Sequence, residues 1–63
     1  MAKYRVWNPY ESPKTHDSFE KALGVAEFWI LEHKGKVQNN VTITREDLRR
    51  SIIVCFIRGK HIE

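Results

Sequence analysis

The chain has 63 residues, of which 41% are hydrophobic and 30% charged, and its formal net charge is +3 at pH 7. These values exclude a disordered chain, and they predict one domain, residues 1–63, with a small core. No apolar run reaches the roughly 20 residues of a membrane span, and no signal peptide is visible, so we expect a cytoplasmic protein that does not bind membranes. The single cysteine, Cys55, cannot form an internal disulfide, which agrees with a reducing compartment.

Charged residues alternate with aromatic and β-branched ones near the start of the chain, which predicts a first strand over about residues 2–8. Tyr4 and Val6 would lie on one face of a sheet, because side chains in a strand alternate between faces. The other face would take Lys3, Arg5 and Trp7. The polar residues 8–15 include two prolines and therefore predict a loop.

Helical periodicity dominates the middle of the chain, and we predict a helix over residues 17–34. Asp17, followed three residues later by a glutamate, is a capping-box pattern, and the apolar residues that follow recur with the spacing of one helix face. Lys34 and Gly35 supply a cation in the last turn and a residue suited to a left-handed cap. Gly24 inside the helix is interpreted as a close-packing position.

Two further strands are predicted in the C-terminal part, over residues 36–44 and 51–58. The segment between them, residues 45–50, fits either one capped helical turn or a plain connection. Alternation divides the apolar run of the last strand into two sets, Ile52, Val54 and Phe56 against the helix and Ile53, Cys55 and Ile57 on the opposite face. A register slip of one residue would exchange the two sets.

These elements predict an α+β domain in the order β-α-β-β, with a three-stranded sheet and one long helix packed on one face. A right-handed crossover would make the first two strands parallel, and the third would run antiparallel to the second. The predicted core consists of Tyr4, Phe19, Leu23, Ala26, Trp29, Ile30, Val41, Ile43, Ile52, Val54 and Phe56. Because one helix covers only one face, we expect a partner to cover the other.

Signatures of catalysis and of metal binding are weak in this sequence. The three histidines, His16, His33 and His61, are far apart, and the cysteine lies within an apolar run. The glycines are isolated, so no phosphate-binding loop is present. Glu46 and Asp47 fit a helix start better than an acid–base pair. We therefore expect a protein that is not an enzyme, with no cofactor, no metal site and no small-molecule substrate.

Candidate binding residues are easier to find. The first strand interleaves cations with an aromatic residue, a combination found in protein interfaces and in sheets that stack bases. Arginines, which bind carboxylates and phosphates bidentately, flank the last strand. The candidate partner-binding residues are Lys3, Arg5, Trp7, Arg45, Arg49, Arg50, Ile53, Ile57 and Arg58. The alternative readings are a solvated loop for the arginines and a cap on the protein's own sheet for Trp7.

The surplus apolar surface predicts a small non-catalytic interaction protein, acting as an inhibitor, adaptor or regulator, that binds a protein partner or forms a homodimer through the open sheet face. The alternative is a nucleic-acid-binding protein that uses the basic and aromatic residues of the sheet and residues 45–50. We favour the first because +3 is a modest charge for a nucleic-acid partner. A short chain with no localisation signal is typical of phage or mobile-element products and of bacterial accessory proteins, so we expect a phage-like protein.

Residues 22–28, ALGVAEF, lie between a charged first strand and a Val-Thr strand. In this respect the chain resembles the small phage-encoded inhibitors of bacterial RNA polymerase, which are of similar length and combine one helix with a small sheet. The resemblance covers only the helix, whose Ala-Leu-x-x-Ala-Glu pattern occurs in many unrelated helices. It does not identify the family, but it illustrates the class of protein that we expect.

Overall fold

The structure is a computed structural model that describes residues 2–59. Within these residues it contains four strands and one helix: β1 (Lys3–Asn8), β2 (Glu11–His16), α1 (Phe19–Glu32), β3 (Asn40–Glu46) and β4 (Ser51–Arg58). The spatial order of the strands is β2-β1-β3-β4, and every neighbouring pair is antiparallel. The predicted α+β class is confirmed. His61 lies outside the described residues.

Strand β2 lies in the segment that was predicted as a loop, and it corrects three predictions. A tight turn at Pro9 and Tyr10 returns the chain alongside β1, and the sheet therefore has four strands instead of three. The register of the β1–β2 pair shifts next to Pro13, where an edge strand tolerates a proline. This extra strand reverses the chain direction once more, so β1 and β3 are antiparallel and not parallel as predicted.

The turn between β1 and β2 is fastened to the C-terminal end of α1. His33 Nε2 lies 2.7 Å from Glu11 Oε2, and the ring of Tyr10 lies 5.2 Å from the His33 ring. The ammonium group of Lys36 lies 4.9 Å from the centroid of the Tyr10 ring. These contacts hold a polar edge strand against the helix without a large apolar side chain.

Helix α1 forms where it was predicted, but its caps differ. The side chain of Ser18, not Asp17, accepts a hydrogen bond from the Lys21 amide at 3.2 Å, and Asp17 instead pairs with the Lys21 ammonium at 3.2 Å. At the other end Gly35 has φ 88°, the left-handed conformation expected after a helix. The predicted packing role of Gly24 is wrong, because this glycine is exposed and no heavy atom outside its own segment lies within 4 Å of the position of a Cβ.

The core lies between α1 and the central strands β1 and β3. Its buried residues are Val6, Ala22, Ala26, Trp29, Val41 and Ile43, with Tyr4, Phe19, Leu23, Val25, Ile30, Cys55 and Ile57 packed around them. The helix contacts β1, β2 and β3. Val6 and Ala22 were not among the predicted core residues. The prediction that Ile52, Val54 and Phe56 lie in the core is wrong, since these side chains are 41%, 43% and 53% exposed.

A β-bulge explains the wrong assignment in β4. Ile43 pairs with Cys55, whereas the next residue of β3, Thr44, pairs with Ile53, so Val54 is an inserted residue. The insertion reverses the alternation between the two halves of the strand. Cys55 and Ile57 therefore face the helix, while Ile53 and Phe56 face away from it.

Residues 47–50 connect β3 and β4 as a plain loop, closed by a 2.9 Å hydrogen bond from the Asp47 amide to the Arg50 carbonyl. The capped helical turn that the sequence also allowed does not form, and Glu46, which was predicted at a helix start, is the last residue of β3. In the part of the chain that the structure describes, no helix has the length and apolar character needed to span a membrane.

Candidate interaction surface

The face of the sheet that points away from α1, called the open face here, carries three rows of side chains. Residues that pair directly across antiparallel strands lie on the same face, so the register defines each row. The first row is Trp7–Thr42–Phe56, the second is Thr15–Arg5–Thr44–Ile53, and the third is Lys3–Glu46–Ser51. The open face is thus apolar at one end and polar at the other.

Trp7 is held in a fixed orientation on this face. Its indole N–H donates a 2.9 Å hydrogen bond to Thr44 Oγ1, and the Arg5 guanidinium lies 5.5 Å from its ring centroid. The residue is nevertheless 38% exposed. An aromatic side chain whose polar group is satisfied and whose ring stays accessible loses little freedom when it meets a partner.

Glu46 organises the polar end of the open face. Its carboxylate accepts hydrogen bonds from the hydroxyl groups of Ser51 and Thr44, the latter at 2.7 Å, and lies 4.0 Å from Arg5 Nη1. The Ser51 hydrogen bond, the Thr44 hydrogen bond and the positive charge of Arg5 lower the pKa of Glu46, in that order of importance. Glu46 therefore carries a negative charge at neutral pH in the middle of the third row.

The apolar end consists of Trp7, Ile53 and Phe56, which we call the apolar patch. Ile53 is 67% exposed and Phe56 is 53% exposed. Val54, at the bulge, lies beside them and is 43% exposed. Large apolar side chains that gather in one exposed area are typical of interaction sites, whereas single exposed ones are normal.

The structure brings some of the predicted binding residues together and separates others. Lys3, Arg5, Trp7 and Ile53 share the open face, and Arg58 extends it at the end of β4, opposite Asn40. Ile57 was predicted on the face opposite the helix, which is wrong. It pairs with Val41 on the helix side and is half-buried. Phe56, which was predicted in the core, lies on the open face because of the bulge.

The arginines that precede β4 form a separate group. Arg45, Arg49 and Arg50 line one shallow groove of about 460 Å³, together with Ala2, Asp47 and Leu48. Arg45 alternates with Thr44 and Glu46 and therefore belongs to the helix side of the sheet, where its Nε lies 3.6 Å from Asp47 Oδ2. The loop arginines thus do not extend the row that contains Arg5 and Trp7.

Among residues 2–59, no group of three or more His, Cys, Asp or Glu side chains is placed to hold a metal ion. His16 Nε2 and His33 Nδ1 are buried, and neither has a hydrogen-bond partner within the described part of the chain. Comparison with protein-family models, with curated protein sequences and with solved structures gave no match for this chain.

Proposed function

We propose that this protein is a non-catalytic interaction protein that binds a protein partner through the apolar patch on its open face. The observation that supports this most directly is the first row, in which two exposed aromatic side chains, Trp7 and Phe56, flank Thr42 on a rigid sheet. Aromatic residues and arginine are enriched at the energetic centres of protein interfaces.

Energetics favour a partner for this surface. Burying one large apolar side chain completely is worth about 1.5–3 kcal/mol. A domain of this size has a total stability of roughly 3–9 kcal/mol. The exposed parts of Trp7, Ile53 and Phe56 are thus a substantial unused contribution, which a complementary surface would recover.

The charges around the patch indicate the partner's chemistry. Lys3 and Arg5 lie on the same face, and Arg58 ends β4 beside Phe56. A partner surface with an apolar centre and an acidic rim would complement this arrangement, because rim charges steer association and select among partners.

Nucleic-acid binding is the alternative, and the groove lined by Arg45, Arg49 and Arg50 is the observation that favours it. Two features of the open face argue against it. The charged carboxylate of Glu46 lies in the row next to Arg5, where it would repel a phosphate backbone. The loop arginines also lie apart from Trp7, so stacking and phosphate contacts would not coincide.

The experiment compares capture of proteins from a bacterial lysate by the wild type, by Phe56→Lys and by Phe28→Lys. Phe28 is a matched control, since it is 60% exposed but lies on the helix. We expect a defined protein to be retained by the wild type and by Phe28→Lys, and its recovery to fall at least tenfold with Phe56→Lys.

Nuclease treatment of the lysate separates the two candidates. Retention that survives nuclease supports the protein partner, whereas retention that nuclease abolishes would favour nucleic acid. Equal capture by Phe56→Lys and the wild type would contradict a role for the apolar patch. Thermal unfolding of both variants establishes that each is folded at the temperature of the assay.

A further inference from the structure

The two edges of the sheet differ in a way that the proposed function does not explain. Edge strand β2 is polar, has a register shift and contains Pro13 and Lys14, which are features that prevent strand pairing. Edge strand β4 has eight residues, and its six central ones are apolar and uncharged. Among residues 2–59, no strand pairs with its outer backbone groups.

The bulge gives β4 an unusual symmetry. Outside Val54, the side chains that face away from the helix are those of Ser51, Ile53, Phe56 and Arg58, and the side chains that face the helix are those of Ile52, Cys55 and Ile57. If two copies of the strand run antiparallel with residue 51 opposite residue 58, three pairs match in face. These pairs are Ser51 with Arg58, Ile52 with Ile57, and Ile53 with Phe56.

A strand without the bulge would not pair with itself in this register. In a regular strand, two positions separated by an odd number of residues lie on opposite faces, so every one of these pairs would be mismatched. Because Val54 is inserted, the only pair whose side chains do not match in face is the central one. In that pair, Val54 of one copy lies opposite Cys55 of the other. Shifting the register by one residue in either direction loses all three matched pairs.

We infer that β4 pairs antiparallel with the β4 strand of a second copy of this chain, in the register that places residue 51 opposite residue 58, to form a continuous eight-stranded sheet. The two inner matched pairs are apolar, with Ile52 and Ile57 on the helix side of the sheet and Ile53 and Phe56 on the open face. At each end of the paired strands, the Arg58 guanidinium of one copy meets Ser51 of the other, whose hydroxyl donates to the negatively charged Glu46. The faces of the inner side chains and the charges at the strand ends are therefore both complementary.

The twofold axis of such a pair is perpendicular to the sheet, so both helices lie on the same side. On that side a groove lined by Glu27, Ile30, Leu31 and Ile57 runs between α1 and β4. The second copy would partly cover this groove and Ile52. On the other side the two open faces join, and both copies of Trp7 remain accessible to a protein partner.

Pairing along one strand covers less than the roughly 800 Å² per partner of a standard interface. We therefore expect a dimer that dissociates on dilution. Sedimentation over a hundredfold concentration range should show a monomer–dimer equilibrium. Hydrogen exchange should show that the outward-facing amides of β4 become protected as the concentration rises. A monomer at every concentration, or a dimer whose β4 amides exchange freely, would overturn the inference.

Disulfide trapping tests the register itself. In a Cys55→Ala background, Ile53→Cys and Phe56→Cys each introduce one exposed thiol. Directly paired residues have Cα atoms about 4.5–5.5 Å apart, within the range of a disulfide, whereas residue 53 and its own copy would be about 10 Å apart along the strands. Under mild oxidation the mixture of the two variants should give crosslinked dimers, and each variant alone should not.

Crosslinking of either variant alone to the same extent as the mixture would overturn the register. Protection of the β4 amides only when another protein is added would show that a different chain occupies the edge. Trp7→Ala separates this inference from the proposed function, because it should reduce capture of a protein partner and leave the dimer and its crosslink unchanged. If the protein captures a partner but forms no dimer, the inference about β4 fails and the proposed function of the open face stands.

Discussion

Asn39 is a buried polar residue, only 1% exposed, that forms hydrogen bonds to three other parts of the chain. Its side-chain amide donates to the Ile30 carbonyl at 3.0 Å, and its Oδ1 accepts from Asn8 Nδ2 at 3.1 Å. Its backbone carbonyl accepts from the Gly59 amide at 2.9 Å. One buried polar residue thus joins the end of α1, the end of β1 and the residue that follows β4.

Asn39→Ala should lower the free energy of unfolding by about 1–3 kcal/mol, because the substitution leaves buried polar groups without their partners. Asn40→Ala is the matched control. The Asn40 side chain is half buried and the network uses only its backbone carbonyl, so we expect a change within about 0.5 kcal/mol. Urea denaturation measures both values. Equal midpoints for the two variants would show that the network adds nothing to stability.

The lowered pKa of Glu46 predicts how the stability of the protein changes at acid pH. Its pKa in the folded protein is below the ordinary value of 4.5, so the folded state binds its proton less readily than the unfolded chain. The stability that it adds is complete above about pH 4.5 and is lost as the pH falls through the lower folded-state pKa.

The free energy of unfolding of Glu46→Gln should therefore depend less steeply on pH in the acid range than that of the wild type. The difference between the two proteins should shrink as the pH falls. Ser51→Ala, which removes the largest contribution to the lowered pKa, should have an intermediate slope. Parallel acid-unfolding curves for all three proteins would contradict this role of Glu46.

At the scale of the secondary-structure elements, two glycines differ in whether the structure has room for a side chain. A Cβ at Gly59 would lie 2.1 Å from the Asn39 carbonyl oxygen, a contact that the backbone must move to relieve. Gly24 lies in the helix with open space around it, and alanine has a helix propensity about 1 kcal/mol better than glycine.

Gly59→Ala should therefore lower the free energy of unfolding by about 1–3 kcal/mol, as overpacking does in well-packed regions. Gly24→Ala should raise it by about 0.5–1 kcal/mol. Chemical denaturation of the two variants under the same conditions measures both changes. If Gly59→Ala and Gly24→Ala shift the denaturation midpoint in the same direction, the surroundings described for one of these two glycines are wrong.

Elements with a strong periodic pattern were predicted well, and elements determined by pairing were not. The faces of β1, the position of α1 and the bounds of β4 follow from alternation, helical spacing and an apolar run, each of which is local. The polar strand β2 forms because β1 offers backbone partners and because His33 fixes Glu11 beside the helix. No local pattern encodes those contacts.

The bulge limited what could be predicted about the candidate site. Alternation from Ile52 onward placed Phe56 in the core and Ile57 on the open face, and one inserted residue exchanged them. Lys3, Arg5, Trp7 and Ile53 were assigned to the open face correctly, since no irregularity separates them from their partners in β3. A bulge depends on how two strands meet, so a single-strand pattern cannot locate it.

At the scale of the whole molecule, one missed strand changed the topology. The chain forms a second strand before the helix, and this strand reverses its direction. The sheet is therefore antiparallel throughout, whereas a parallel pair of strands was predicted. The second strand also covers the outer edge of β1 and leaves β4 as the apolar edge. The asymmetry between the two edges follows from this one hairpin.

The run of residues 52–57 is also the segment of this chain most suited to forming fibrils, since it combines strong β propensity with no charge and no proline. Arg50 and Arg58 enclose it and act as gatekeepers, because stacked copies in register would bring like charges together. High ionic strength weakens that repulsion. Storage at low salt should therefore favour reversible assembly over irreversible aggregation.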